Sequence, residues 1–425
     1  MKPREFSGAL RDSVRMMGAG VLEDRRRTAA AAAGPDVART VFDPTHPSSI
    51  ADPHADLASL RAHRVAVNER LDVWMLARHA DVLAATRAHD TLSSRSGILL
   101  RSTAMPGVVS TDEPDHARLR RVTAGAFTPG AVRALRDSLA EFAAPGIDAL
   151  AGGDVVDLVP ALTAPLPVSA ISLLLGLDRA RWDDLGRYSD AFTALFAVRS
   201  AADVLAAAGR AFPGMLTIRR LVLDELDRRR DEPGDDVFGR VRRALDAGVV
   251  SEVEALVAVV ILLIAGSETT TNLLGMLLVR LARDPALYDR LRADRTLIRA
   301  TTEETLRWGS PVQWVARTTL APFAIAETVI PPRSRVVLFY AGANRDPDRF
   351  PDPDRFDIDR PDTGHVAFGH GIHFCMGAQL ARLEVEVALD RLLDTVERIE
   401  LAGPVRWTTT PSLSGPTSIP VRRLR

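Results

Sequence analysis

The sequence predicts a mainly α fold with small β-sheets, and three observations carry that prediction. Apolar residues at helical spacing dominate from about Ala80 to Trp308. Strand-like pieces are short and confined to "RVAVNERLDVWMLA" (Arg64 to Ala77) and to the stretch from Val312 to Val336. Apolar residues make up 46% of the 425, enough for one sizeable core. No internal repeat, low-complexity linker or break in composition divides the chain, so residues 46–425 read as a single domain. Residues 1–45, rich in Arg and Ala without steady periodicity and ending near the Pro-rich "FDPTHPSS", read as an N-terminal extension.

In chain order, two strands flank Asn68-Glu69-Arg70, and helices follow over Pro114–Ala126, Ala131–Ala151, Ala201–Arg230, Ser251–Arg283 and Leu297–Trp308. Prolines break the next region into short strands. "ANRDPDRFPDPDRFDIDRPDTG" then runs for roughly twenty residues with four prolines and no period, which a compact domain tolerates only where the loop has a job. After Cys375 the apolar positions Ala378, Ala381, Val385, Ala388 and Leu392 recur at helical spacing.

Charge and cysteine usage exclude several classes of function. The 54 basic and 55 acidic side chains leave a net charge of -1, so no whole-protein field steers the chain onto nucleic acid. A single cysteine forms no internal disulfide, and the first thirty residues are too charged for the apolar core of a signal peptide. These features predict a cytoplasmic protein. The longest apolar run, Ala255–Gly266, has 12 residues with Glu268 close behind, short of the roughly 20 a bilayer crossing needs, so no membrane span is expected.

The lone thiol lies in "HVAFGHGIHFCMGAQLARLE" (His365 to Glu384) among three glycines and three histidines. Gly369, Gly371 and Gly377 let the backbone take positive φ and approach whatever the sulfur touches. The sulfur sits at or just before a helix N-terminus, where the dipole and unpaired N–H groups favour a thiolate and predict a pKa below about 8.5. Four roles compete: a buried apolar side chain, a zinc ligand with His370 and His373, a nucleophile with a histidine base, and an axial thiolate to haem iron. The last accounts for all three glycines.

The string from Phe368 to Gly377 resembles the haem-binding signature of the cytochrome P450 monooxygenases at Phe368, Gly369, Gly371, His373, Cys375 and Gly377. The resemblance implies that family's fold, in which a long central helix crosses the haem and a helix follows the cysteine-ligand loop. It also implies haem b (iron protoporphyrin IX) as cofactor and Cys375 as the iron's ligand. Further stretches are similar to the family in the family's order, over roughly residues 55 to 425. In Ala265-Gly266-Ser267-Glu268-Thr269-Thr270, the resemblance makes Ala265 the small residue that admits O2 and Glu268 and Thr269 the proton relay. Glu304 and Arg307 correspond to a buried brace completed by an arginine of the meander, here Arg355. His116 and Arg120, four apart on one helix face, correspond to ligands of the haem propionates, together with Arg317 and His373. Two features depart from the pattern: "AETVIPPRSRV" lacks the glycines often found there, which leaves its loop shape open, and the N-terminal extension is unmatched.

The function implied is a monooxygenase that activates O2 with two electrons and inserts one oxygen atom into a small lipophilic substrate by hydroxylation, epoxidation or dealkylation. The alternatives are a haem-thiolate peroxygenase, coupling enzyme or haem sensor, with a cysteine or zinc hydrolase more distant. No flavin or iron-sulfur motif is present, so a separate ferredoxin or flavodoxin is expected, docking on the cysteine side through Arg118, Arg121 and Arg382 onto a monomer. By position in the family pattern the substrate pocket draws on the 96–109 loop, on "DAFTALFAVRS", on Ile261, Ile264 and Ala265, on Gln313 and Val315, and on the turn near Leu413.

Overall fold

The computed structural model describes residues 34, 37–100, 107–182, 201–231, 234–361 and 364–424. A six-stranded sheet is built from β1 (Ala38–Arg39), β2 (Ala66–Asn68), β3 (Val73–Leu76), β4 (Leu92–Ser93), β5 (Trp314–Thr319) and β8 (Arg335–Phe339), in the order β1-β2-β3-β8-β5-β4. Between β5 and β8, β6 (Phe323–Ile325) and β7 (Thr328–Ile330) form a separate hairpin. Both faces of the large sheet are covered, which explains why "VWML" and "RVVLF" are apolar throughout and do not alternate. Trp74, Leu76, Val336 and Leu338 bury one face, and Val73, Met75, Val337 and Phe339 the other. β1 pairs in parallel with Ala66 and Val67, and Val37 and Phe42 are buried. Residues 37–42, within the stretch read as an extension, thus belong to the sheet layer.

The helices that position the site are α1 (Asp115–Ala124), α2 (Arg136–Gly152), α3 (Pro165–Leu175), α4 (Ala201–Arg228), α5 (Val237–Asp246), α6 (Glu252–Arg283), α7 (Leu297–Gly309) and α8 (Ala378–Thr395). Their apolar faces form one continuous core around α6. Side chains 201–213 and 215 of α4 lie outside the described residues. α6 starts at a capping box in which Ser251 Oγ accepts the Glu254 N–H at 3.2 Å and Glu254 Oε2 accepts the Ser251 N–H at 2.8 Å. It then runs 32 residues, about 48 Å. This helix is long and apolar enough to cross a membrane, and half of its most apolar 18-residue stretch is buried inside the fold.

The hairpin that lacks glycine forms nonetheless. Its two-residue turn places Ala326 at φ +51°, a left-handed conformation that disfavours any residue with a Cβ.

Candidate functional site

Glycine geometry shapes the cysteine loop. Gly369 and Gly371 adopt φ +68° and +71°, whereas Gly377, read as sharing that freedom, has φ −80° because it already leads into the following helix; a Cβ on Gly371 would lie 2.6 Å from the Thr86 carbonyl. The loop closes on itself through Cys375 N–H to Phe368 O at 3.0 Å and Phe374 N–H to Gly371 O at 3.1 Å, and α8 begins three residues after the cysteine. The N–H groups of Gly377 and Ala378 point at the sulfur. Even so, burial pushes the Cys375 thiol above its ordinary value, outweighing those amides and the nearby Arg120 and Arg382. The lowered pKa expected from the helix terminus alone is therefore corrected: in the free protein, desolvation wins.

Cys375 is surrounded by protein, yet much of its surface stays accessible. Ala265 behaves alike: it is exposed in mid-α6 while Ile264 and Ser267 are buried. Both side chains therefore stay accessible.

A strongly electropositive end adjoins the loop. Arg317, on β5, is buried; its NH1 donates to Ala316 O at 3.0 Å, and no carboxylate pairs with it among the described residues. Burial lowers its pKa. His373 is driven down to about 2 by burial, with Arg317, His116 and Arg120 adding to the effect, so it is neutral. Its Nε2 lies 3.0 Å from Ser94 Oγ, and its ring packs edge-on against His116 with centroids 4.4 Å apart. His116 and Arg120 share a face of α1 as expected, but here they clasp the cysteine loop. His116 Nε2 lies 2.9 Å from Ile372 O, and Arg120 NH2 donates to Phe374 O at 2.8 Å. The nearby carboxylate, Asp112, is engaged by Ser93 Oγ and the Ser94 N–H. Sequence reasoning missed Tyr340, which follows β8 directly and packs in one buried cluster with Val336 and Leu338. Its hydroxyl would lie 3.3 Å from a Cβ on Gly369, and burial raises its pKa. A buried cation, a neutral histidine and a phenol beside an accessible sulfur suit a large ligand that carries a metal and carboxylates. Haem is such a group, and the donor set fits it.

On α6, the segment Ala265–Thr270 stays helical. Thr269 Oγ1 donates to Ala265 O at 2.8 Å, and Ser267 Oγ to Leu263 O at 2.7 Å. Gly266 lets Ile171 of α3 approach within 3.2 Å of where its Cβ would stand. Glu268 and Thr269 are each partly exposed.

The brace behind the loop is buried. Arg307 donates Nε and NH2 to the two Glu304 oxygens at 2.7 Å each, and adds bonds to Asn344 O, Pro353 O and Arg355 O at 2.8–3.0 Å. Arg355 is corrected here, because it supplies only that carbonyl: its side chain is 70% exposed, 3.8 Å from Asp357. Arg360, five residues on, has the buried side chain, with Nε 3.5 Å from Glu304 Oε2, close enough for an ion pair but too long for a hydrogen bond. Both arginines lie in one aperiodic loop, so spacing carried no signal to separate them. Asn344, also missed, ties the brace to the cysteine loop: its Nδ2 donates to Ser310 Oγ at 2.8 Å and its Oδ1 accepts the Val366 N–H at 2.7 Å.

Two expectations about the surroundings change. Arg118 pairs with Glu254 at 2.6 Å and Asp115 at 3.1 Å, and Arg382 with Glu303 at 2.5 Å. Of the three arginines expected to dock a partner, only Arg121 is without a carboxylate among the described residues, its Nε donating to Ala117 O at 3.2 Å. In the substrate region, Ile261 and Ile264 are buried on α6 and Val315 is half-buried. Gln313 donates its amide to Gly309 O and Ser310 O. With Leu413 it borders a small cleft of about 10 Å³ against Phe42 and Trp314, room for about one water. Residues 101–106 of the 96–109 loop and all of "DAFTALFAVRS" lie outside the described residues. Among the described residues no group of three or more His, Cys, Asp or Glu is arranged to hold a metal ion, so the zinc reading finds no donor cluster.

Comparisons with known proteins agree with this geometry. A family model described as "Cytochrome P450" matches residues 243–398. A "Beta-dihydromenaquinone-9 omega-hydroxylase" of Mycobacterium tuberculosis is 35% identical over 386 residues, covering 90% of this chain and 78% of that protein. "Cyclomarin C epoxidase CymV" of Salinispora arenicola is 36% identical over 392 residues, covering 86% and 94%. The structure of cytochrome P450 CYP109Q5 from Chondromyces apiculatus superposes with a TM-score of 0.80 at 33% identity, covering 91% of this chain and 98% of that one.

Proposed function

The chain belongs to the cytochrome P450 family of haem-thiolate monooxygenases, and from that premise we propose that it inserts one oxygen atom of O2 into a small lipophilic substrate. Hydroxylation and epoxidation are the reactions favoured, because relatives bear those names. The observation that carries the proposal is the Cys375 sulfur, accessible within a glycine-shaped loop whose His373 feels a buried Arg317 that pairs with no carboxylate among the described residues.

Cys375 would hold the iron of haem b, with Phe368, Gly369 and Gly377 shaping the loop around the sulfur. Arg317, His373, Arg120 and His116 would hold the propionates, with Tyr340 as a further donor. When bound, haem supplies the redox centre at which O2 is activated, its thiolate ligand favouring O–O cleavage. The amides of Gly377 and Ala378 offset part of the cost of a buried thiolate by donating to it. Ala265, having no side chain beyond Cβ, would leave room for O2 beside the bound haem. Thr269 directs its hydroxyl proton to Ala265 O and so presents oxygen lone pairs outward. Glu268, one residue away on the same helix, would deliver protons to that hydroxyl. Ile261, Ile264, Ala265 and Val315 would form an apolar wall that holds the substrate and excludes water. The two electrons would come from a ferredoxin or flavodoxin docking on the cysteine side around Arg121.

The test is an absorption spectrum of the purified protein, reduced under carbon monoxide. A strongly red-shifted Soret band, lost in Cys375→Ser, is the expected result; a colourless protein, or an unaltered pigment in Cys375→Ser, refutes the proposal. Turnover with reduced ferredoxin compared with peroxide then separates a monooxygenase from a peroxygenase.

A further inference from the structure

Glu303 precedes the brace residue Glu304 on α7 but serves a different purpose. Its Oε1 accepts from Arg382 Nε at 2.5 Å and its Oε2 from Arg382 NH2 at 2.9 Å, while Oε2 also lies 3.1 Å from His365 Nε2. His365 Nδ1 accepts the Ala367 N–H at 3.2 Å, which leaves Nε2 as the nitrogen that donates to Glu303. Arg382 lies 4.7 Å over the Phe368 ring, and the carbonyl of that same Phe368 accepts the Cys375 N–H. One carboxylate therefore links α7, the segment entering the cysteine loop, and the first turns of α8. The ensemble is largely buried: the side chains of His365, Glu303 and Arg382 are 4%, 14% and 24% exposed. Burial pushes the Glu303 carboxyl up, yet Arg382 and His365 hold it at about 2, so it stays ionised near neutral pH. Arg382 is also one of two cations that favour a thiolate at Cys375.

We propose that Glu303 is a positioning residue that anchors His365–Phe368 and cancels the Arg382 charge behind Cys375, so that the Glu303–Arg382 pair sets the reduction potential of an iron bound to that sulfur. The inference rests on the haem-thiolate reading above. Its physical basis is that a buried charge near the ligand changes the relative stability of the ferric and ferrous states, because the low local dielectric screens it weakly. With both charges present their fields nearly cancel. Remove either one and the other acts alone, with opposite sign. The same pairing takes Arg382 out of the surface offered to a redox partner.

The experiment is a potentiometric titration of the haem-loaded enzyme for wild type, Glu303→Gln, Arg382→Gln and the double variant. Glu303→Gln should move the midpoint positive, raising the ferrous-to-ferric ratio at a fixed potential by roughly three- to tenfold. Arg382→Gln should move it negative by a similar factor, and the double variant should return close to wild type. A purely structural clamp would loosen haem or stability in both single variants without opposed shifts. Singles that shift in the same direction, or not at all while their reduced carbon monoxide spectra remain thiolate-like, overturn the inference. Should Glu303→Gln fail to hold haem, the sign of the Arg382→Gln shift still decides. A wild type without the thiolate spectrum overturns instead the reading on which the inference rests.

Discussion

The brace offers the sharpest quantitative prediction, because two arginines five residues apart have opposite surroundings. Replacing Arg360 by alanine removes a buried guanidinium 3.5 Å from Glu304 and leaves the Pro351 carbonyl, bonded at 2.7 Å, without its donor. Losing one partner of a buried ion pair costs about 3–5 kcal/mol. Glu304 keeps Arg307 and the Asp357 N–H, the latter at 2.8 Å, so a cost of about 2–3 kcal/mol is expected, in line with single charged hydrogen bonds. Arg355→Ala loses a side chain that is 70% exposed and should stay within about 0.5 kcal/mol. Unfolding entropy of about 2.1 cal/mol/K per residue gives this chain about 0.9 kcal/mol/K, so Arg360→Ala should melt about 2–3 °C lower and Arg355→Ala within about 0.5 °C of wild type. Thermal unfolding followed by far-UV circular dichroism measures both. Equal losses in the two variants, or an Arg360→Ala protein as stable as wild type, would refute the assignment.

Other outcomes are equally checkable. Glu268→Gln should cut turnover by about a hundredfold while leaving the haem spectrum and substrate-induced spin shift unchanged; full turnover removes Glu268 from proton delivery. Ala326→Gly should raise the melting temperature by about 1 °C, since relief of a left-handed alanine, about 1–2 kcal/mol, exceeds the flexibility glycine adds to the unfolded chain, about 0.5–1 kcal/mol, and calorimetry showing a decrease would contradict the strain. Glu384 is buried and its Oε2 has no hydrogen-bond partner among the described residues, and desolvation raises its pKa well above the ordinary value. The unfolded chain therefore releases this proton first, and stability falls as pH rises above the ordinary glutamate range, about 4.3. Glu384→Gln should flatten that fall, giving a larger gain in urea midpoint at pH 8 than at pH 5; an equal gain at both would place the effect elsewhere.

Much of the cysteine site was legible because its signals are local. Glycine at positions that take positive φ, a sulfur just ahead of a helix, and small residues in mid-α6 all follow from short-range backbone rules. The bounds read for the long helix, Ser251 and Arg283, are its cap and its last residue, for the same reason. Electrostatics was not legible in this way. Arg118 meets a carboxylate 136 positions away and Arg382 one 79 positions away, so both looked like free cations in sequence and are ion pairs in space. The thiol shift changed sign because a helix terminus can be read from sequence, whereas burial depends on everything packed around the sulfur.

By itself, then, the sequence determined the family, the ligand loop and the order of the elements, since these depend on residue type at short spacing. Tertiary structure alone decided which arginine braces Glu304, which cations stay exposed, and where Gln313 and Leu413 stand. Those are matters of side-chain direction and charge pairing across distant segments, and they exist only once the segments have packed together.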